Sequence, residues 1–251
     1  MSENGLPSPN HILFVKALRK TFGLIQALRG IDLELFKGEF LTIFGPNGAG
    51  KTTLIKILSS LAKPTSGTAY VAGFNIEDAD PQMRSQIGVI SHASYLYDNL
   101  SALENLVFYA KMHRLDNPEE RAAQVIDEMG LKARMHDPVG VFSRGMTQRL
   151  SIARAIINSP AILFLDEPYT GLDQHASENL KERLSVLRDA KRSIVMITHD
   201  IPRGLEMCDR VAIMADGKKA FMGHIDDVDK DTFEDFYYQT IANSRGDKNR
   251  K

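Results

Sequence analysis

The residues Gly45-Pro46-Asn47-Gly48-Ala49-Gly50-Lys51-Thr52 fit the pattern G-x-x-x-x-G-K-[ST]. In such a stretch small residues let backbone N–H groups curl around phosphates, and a helix opening at Thr52 and Thr53 adds positive potential. Lys51 reaches β- and γ-phosphate oxygens, and the Thr52 hydroxyl is a ligand for Mg²⁺. The pattern needs a strand before it and a helix after it. Phe40 to Phe44 is a short bulky run suited to a strand buried on both faces, and Thr53 to Leu61 reads as an apolar helix. The bland alternative is a plain glycine-rich strand-to-helix turn.

A second constellation lies downstream. Ile162 to Leu165 is an apolar strand that ends in two adjacent carboxylates, Asp166 and Glu167, where a parallel sheet presents its ligand-binding edge. Asp166 can hold Mg²⁺ through water, and Glu167 is placed to orient or deprotonate an attacking water. A strand followed by Asp-Glu is by itself more often a surface turn; after a phosphate-binding pattern the functional reading dominates. Ile194 to Thr198 likewise ends in His199, either a polar sensor of the γ-phosphate or a structural histidine.

The elements that must position these residues follow from periodicity. Leu28, Ile31, Leu33 and Leu35 give a half-buried antiparallel strand, and Val211 to Met214 is another short apolar run. Helical patterns separate most of the later runs, which predicts crossover connections and a largely parallel sheet. Ser101 to Glu104 forms a capping box before Leu103, Leu106, Val107 and Ala110; Asn117 and Pro118 open a second helix with a stripe of Ala122, Val125, Ile126 and Met129 that ends at Gly130. Two helices with no strand between them predict an insert of roughly 92–142, or about 92–160 with the helix that follows. Ala215-Asp216-Gly217 is a hairpin signal, and 241–251 reads as a polar tail after one domain over 1–240.

Composition bounds the rest. The 251 residues, 43% hydrophobic and 25% charged, suit one α/β domain, and a net charge of -1 does not suggest a nucleic-acid partner held by a globally basic surface. The longest apolar runs are too short for a membrane span, the first residues carry no secretory pattern, and the lone Cys208 excludes an internal disulfide, so a reducing cytoplasm fits.

With these motifs placed, the chain resembles the nucleotide-binding subunit of ABC transporters over about residues 11–225. The diagnostic segment is Phe142-Ser143-Arg144-Gly145-Met146-Thr147-Gln148-Arg149, similar to the family signature LSGGQ. The resemblance implies a P-loop NTPase fold of the ABC ATPase type, with a mostly parallel core sheet, an N-terminal antiparallel β subdomain and a helical subdomain insert. It also implies ATP and Mg²⁺ as cofactors. In that family the signature serine and glycine bind the γ-phosphate held by the other subunit, so Ser143 and Gly145 imply a head-to-tail dimer of two copies with two ATP molecules between them. Ser143 also reads as a helix cap, and both roles can hold. By position, Phe22 corresponds to the aromatic that stacks on adenine, Asp173 to the D-loop aspartate and His199 to the switch histidine; the alternative for Phe22 is core packing.

Two departures stand out: Arg144 and Met146 replace a glycine and a glutamine of the signature, and His92 occupies the position of the Q-loop glutamine that contacts Mg²⁺. Imidazole offers nitrogen where the amide offers oxygen, so His92 is either a metal contact, a reporter of nucleotide state to a partner, or a residue that lines the loop. The stretch from His92 to Tyr109 and Glu167-Pro168-Tyr169 is similar to ATP-binding subunits of the haem exporter of cytochrome c maturation. The implied function is an ATP-hydrolysing subunit that energises export through multi-spanning permease subunits from the cytoplasmic face of the membrane. The alternatives are an ABC-2 type drug, polysaccharide or lipid exporter, and a soluble ABC ATPase unconnected with transport.

Overall fold

The computed structural model describes residues 7–78, 80–91, 93–189 and 192–246. In chain order it contains β1 (His11–Phe22), β2 (Ile25–Phe36), β3 (Phe40–Phe44), α1 (Lys51–Leu58), β4 (Ser66–Val71), β5 (Phe74–Asn75), α2 (Pro81–Ser85) and β6 (Ile87–Ile90). There follow α3 (Ala102–Met112), α4 (Pro118–Glu128), α5 (Arg144–Ile156), β7 (Ile162–Asp166), α6 (Gln174–Asp189), β8 (Ser193–Ile197), α7 (Ile201–Glu206), β9 (Arg210–Ala215), β10 (Lys218–His224) and α8 (Phe233–Gly246). One sheet has the order β2-β1-β4-β5 and is antiparallel; the other has the order β10-β9-β3-β8-β7-β6 and is parallel except at β10. This is the expected α/β architecture, with its antiparallel N-terminal sheet, mostly parallel core sheet and helical insert.

The apolar runs work because a strand sends alternate side chains to opposite faces. In β7, Leu163 and Leu165 face a core shared with α3, α4, α5 and α6, while Ile162 and Phe164 face one shared with α1 and the antiparallel sheet. β8 divides in the same way, Ile194 and Met196 against Val195 and Ile197. Both faces are therefore dry, and the strand ends carry the polar residues.

Arginines fasten the insert. Arg149 of α5 donates to Met129 O (3.2 Å) and Gly130 O (3.3 Å), and Arg183 of α6 donates to Glu128 O (3.1 Å), so two guanidinia serve the carbonyls at the end of α4. In return Arg121 of α4 donates to Ile156 O (3.0 Å) and Ile157 O (2.9 Å) at the end of α5. Cations at helix C-termini complement the dipole and satisfy the last carbonyls. Gly130 has φ +66° and lies so near both guanidinia that a Cβ would stand 2.9 Å from Arg183 Nη2. Arg149→Ala is expected to cost about 1–2 kcal/mol and to lower Tm by roughly 2–8 °C; a circular-dichroism melt unchanged from the parent would show that these contacts hold nothing.

Three expectations need correction. The helix after the P-loop spans Lys51–Leu58 rather than Thr53 to Leu61. Asn117 makes no side-chain cap; Pro118 with Glu119 and Glu120 in the first turn starts α4 without it. Residues 241–246 are helical, not tail: Phe233, Tyr237 and Ile241 recur every four residues on α8 and pack with Phe44, Leu205 and Ile213. Residues 247–251 lie outside the described ones.

Candidate active site

The phosphate-binding pattern occupies the turn from β3 into α1. A Cβ on Gly45 would run into Met214 O, and one on Gly50, which has φ +96°, into Ala27 O with Leu28 Cδ2 at 2.9 Å. Only glycine lets the loop lie this close to β9 and β2. The loop is tied down further by Gly217 N–H, which donates to Ala49 O (3.2 Å), and by Arg29 N–H, which donates to Gly217 O (2.7 Å). Asp216 and Gly217 both have positive φ, 49° and 75°, as the expected two-residue hairpin requires.

Lys51 is 7% exposed, and its ammonium donates to Gly45 O and to Pro46 O (3.1 Å), bridging the base of the loop. Burial holds it below the usual lysine range, opposed by the carboxylates of Glu167 and Asp166. Ile197 of β8 pairs with both Ile43 of β3 and Asp166 of β7, so the strand register brings the two constellations to one sheet edge. Thr52 is exposed in the first turn of α1, Thr53 is half-buried, and Asn47 and Gly48 are exposed. The protein donors on hand, one hydroxyl and the Asp166 carboxylate, fit a Mg²⁺ held largely by phosphate oxygens.

Asp166 is the last residue of β7, paired with Ile197 of β8. Glu167 follows in the left-handed region at φ 54°, which costs a residue with a side chain about 1–2 kcal/mol. Its N–H donates to Ile197 O (2.9 Å), and its Oε2 lies 2.8 Å from Nδ1 of His199. His199 is itself largely exposed. The carboxylate is thus held at the sheet edge by strained backbone on one side and an imidazole on the other.

Ser143 is exposed and caps α5, its Oγ accepting from Met146 N–H (3.3 Å). Gly145 packs on α6, where an added Cβ would stand 2.8 Å from Cβ of Ala176. Asp173 caps α6 by accepting from Ala176 N–H (2.7 Å). Phe22 is 53% exposed, which rules out the core-packing alternative; it pairs with Ile25 at the end of the β1–β2 ribbon, and Lys20 Nζ lies 4.8 Å from its ring centroid. His92, expected as a possible metal contact, lies outside the described residues.

The family described as ABC transporter matches residues 28–170, more than half of the chain. The chain belongs to the ABC transporter ATP-binding family. Among curated relatives, this ABC ATPase is 35% identical to the Nod factor export ATP-binding protein I of Cupriavidus metallidurans, over 84% of this chain and 71% of that protein. It is 34% identical to the spermidine/putrescine import ATP-binding protein PotA of Fusobacterium nucleatum, over 82% of this chain and 55% of that protein. Its structure matches the dimeric post-hydrolysis state of the ATP-binding cassette MJ0796 bound to ADP and Pi, with a TM-score of 0.77, 28% identity, and coverage of 85% of this chain and 98% of that one. The ABC ATPase domain carries ATP binding and ATP hydrolysis.

Several supports of this ABC ATPase site escaped the sequence reading. Met214 and Ala27 reach the P-loop from remote strands and Gly217 from the turn between β9 and β10, and only that turn had a local signal. Arg154 of α5, which anchors the loop after β6, likewise had no local signal. It donates to Val89 O (2.8 Å) and lies 5.5 Å from the Tyr95 ring centroid and 5.4 Å from that of Tyr109, whose hydroxyl donates to Tyr95 O. Burial holds its guanidinium below the usual arginine range. Tyr169, whose aromatic character supported the haem-exporter resemblance, is buried with Arg203 over its ring.

Proposed function

We propose that two copies of this chain bind two ATP molecules head to tail, hydrolyse them, and so energise export through permease subunits, haem being the cargo of the system. The observation that carries the reading is the gathering of Lys51, Asp166, Glu167 and His199 at one sheet edge. Lys51 and the backbone from Gly45 to Thr53 bind the phosphates, and Phe22 stacks on the base. Mg²⁺, held by Thr52 and Asp166, would neutralise charge on the phosphate oxygens. Glu167 accepts the proton of the attacking water, and His199 orients Glu167. Ser143 and Gly145, at the exposed start of α5, serve the γ-phosphate of the other copy, with Asp173 at the same interface. The dimeric state described for MJ0796 supports this arrangement.

The permease side is assigned to the aromatic surface around the loop after β6. Tyr95, Tyr97, Phe108 and Met112 are all exposed there, and Tyr97 and Phe108 meet edge to face at 5.4 Å. No helix among the described residues is long and apolar enough to cross a membrane, which fits attachment through such a surface at the cytoplasmic face. Export is supported by the Nod factor relative, and haem by the segments around Tyr95 and Tyr169.

The test is genetic. Deleting the gene should abolish haem-stainable c-type cytochromes, with restoration by the parent gene and none by Glu167→Gln or by Tyr95→Ala/Phe108→Ala. Normal cytochromes beside lost export of a drug, polysaccharide or lipid would favour the ABC-2 alternative.

A further inference from the structure

We propose that Arg144 is a positioning residue: within one chain it ties the start of the signature helix to the turn that follows Glu167, so that engagement of the phosphate in one site sets the base of the other. The inference rests on the head-to-tail dimer reading. Arg144 is the first residue of α5, directly after Ser143. Its guanidinium lies against Gly171, so closely that any side chain there would overlap it. Gly171 has φ +72° and stands inside the turn that begins at the base. Thr170 N–H donates to Glu167 O (3.2 Å), and Leu172 N–H donates to Tyr169 O (3.2 Å). Arg144, Thr147, Glu167 and Thr170 also line one cleft of about 290 Å³.

A planar guanidinium can lie flat on a peptide, which neither glycine nor a short side chain can do. The departure from the usual glycine at this signature position therefore adds a contact. A second contact, Gly145 on Ala176, lies beside it, so the first turn of α5 meets both the turn and the start of α6. The turn closes with two hydrogen bonds at 3.2 Å and carries the base on left-handed backbone, so its geometry and that of Glu167 are set together. When Ser143 and Gly145 engage the phosphate of the other copy, the displacement of α5 passes through Arg144 and Gly171 to Glu167.

The experiment uses the purified full chain in steady-state ATPase assays, with size exclusion in Mg-ATP on the Glu167→Gln background. Arg144→Ala should lower kcat about tenfold with KM within a factor of two, and should leave the ATP-dependent dimer of Glu167→Gln intact. Gly171→Ala, which displaces the guanidinium, should give a similar loss, and the double variant should lose no more than either single one. Multiplied losses in the double variant, or parental kcat in Arg144→Ala, would overturn the proposal; the latter readout stands alone should Gly171→Ala fail to fold. Loss of the dimer caused by Arg144→Ala would also overturn it, because Arg144 would then act directly on the other copy. A Glu167→Gln chain that stays monomeric with Arg144 intact would refute the dimer reading itself and the coupling with it.

Discussion

Glu167→Gln is expected to bind Mg-ATP and leave it unhydrolysed. The amide keeps the size of the side chain and a hydrogen-bonding oxygen towards His199, so the geometry at the end of β7 survives; the lost property is the carboxylate's capacity to take a proton from water. Removing a positioned general base lowers turnover by roughly 10²- to 10⁴-fold. Binding is retained because Lys51 and the loop from Gly45 to Gly50 are untouched. On the proposed head-to-tail arrangement, ATP that persists between the P-loop of one copy and Ser143 of the other should stabilise the closed dimer by mass action. Size exclusion should show a monomer-to-dimer shift in Mg-ATP, none in ADP, and none when Ser143→Glu is added. Hydrolysis at the parental rate would remove Glu167 from the role of base.

Lys51→Ala separates catalysis from stability. Loss of the ammonium removes the charge aimed at the phosphates, and deleting one such electrostatic group costs about 10²- to 10³-fold in kcat, with weaker nucleotide binding in addition. Folding responds in the other direction. Because burial depresses the folded pKa of Lys51 below its unfolded value, the charged ammonium opposes folding at neutral pH, and that cost fades only as pH rises through the depressed value. The variant loses two hydrogen bonds to the loop but sheds this desolvation, so its Tm at pH 7 should match or exceed the parent's while ATPase activity disappears. A variant that is inactive and markedly less stable would mean that Lys51 holds the loop together rather than holding phosphate.

The local signals in the sequence were strongest where one face or one turn decides the structure. The capping box forms as written: Ser101 Oγ accepts from Glu104 N–H, and Glu104 accepts from Ser101 N–H, which holds that carboxyl below its usual range. The runs in β3, β7, β8 and β9 are strands, and Asp216-Gly217 turns the hairpin. β1 was illegible because of a bulge. Ala17 has φ 49° and gives its N–H to Asp32 Oδ1 (2.7 Å), and the register shifts between Val15 and Leu18, so buried residues fall at Ile12, Leu13, Val15 and Leu18 without alternation. α8 did carry a signal, the four-residue step of Phe233, Tyr237 and Ile241, blurred by Phe236 and Tyr238, which are aromatic but lie on its exposed face. The contacts of Arg144 with Gly171 and of Met214 with Gly45 join distant parts of the chain, and no window of sequence holds both partners.

The position of β3 between β8 and β9 has a consequence for biosynthesis. The phosphate-binding residues are made well before the strands that flank them: β3 has no sheet neighbour until Ser193–Ile197 is made, and the loop lacks its clasp until Gly217 follows. At about 5–20 residues per second this interval is roughly 10 to 30 seconds. Throughout it the five residues of β3, all buried in the finished protein, have no strand on either side. Unpaired apolar segments of this kind are where aggregation starts and where chaperones act. The hydrogen bond that ties the phosphate-binding loop to Gly217 is thus among the last contacts of the site that synthesis makes possible.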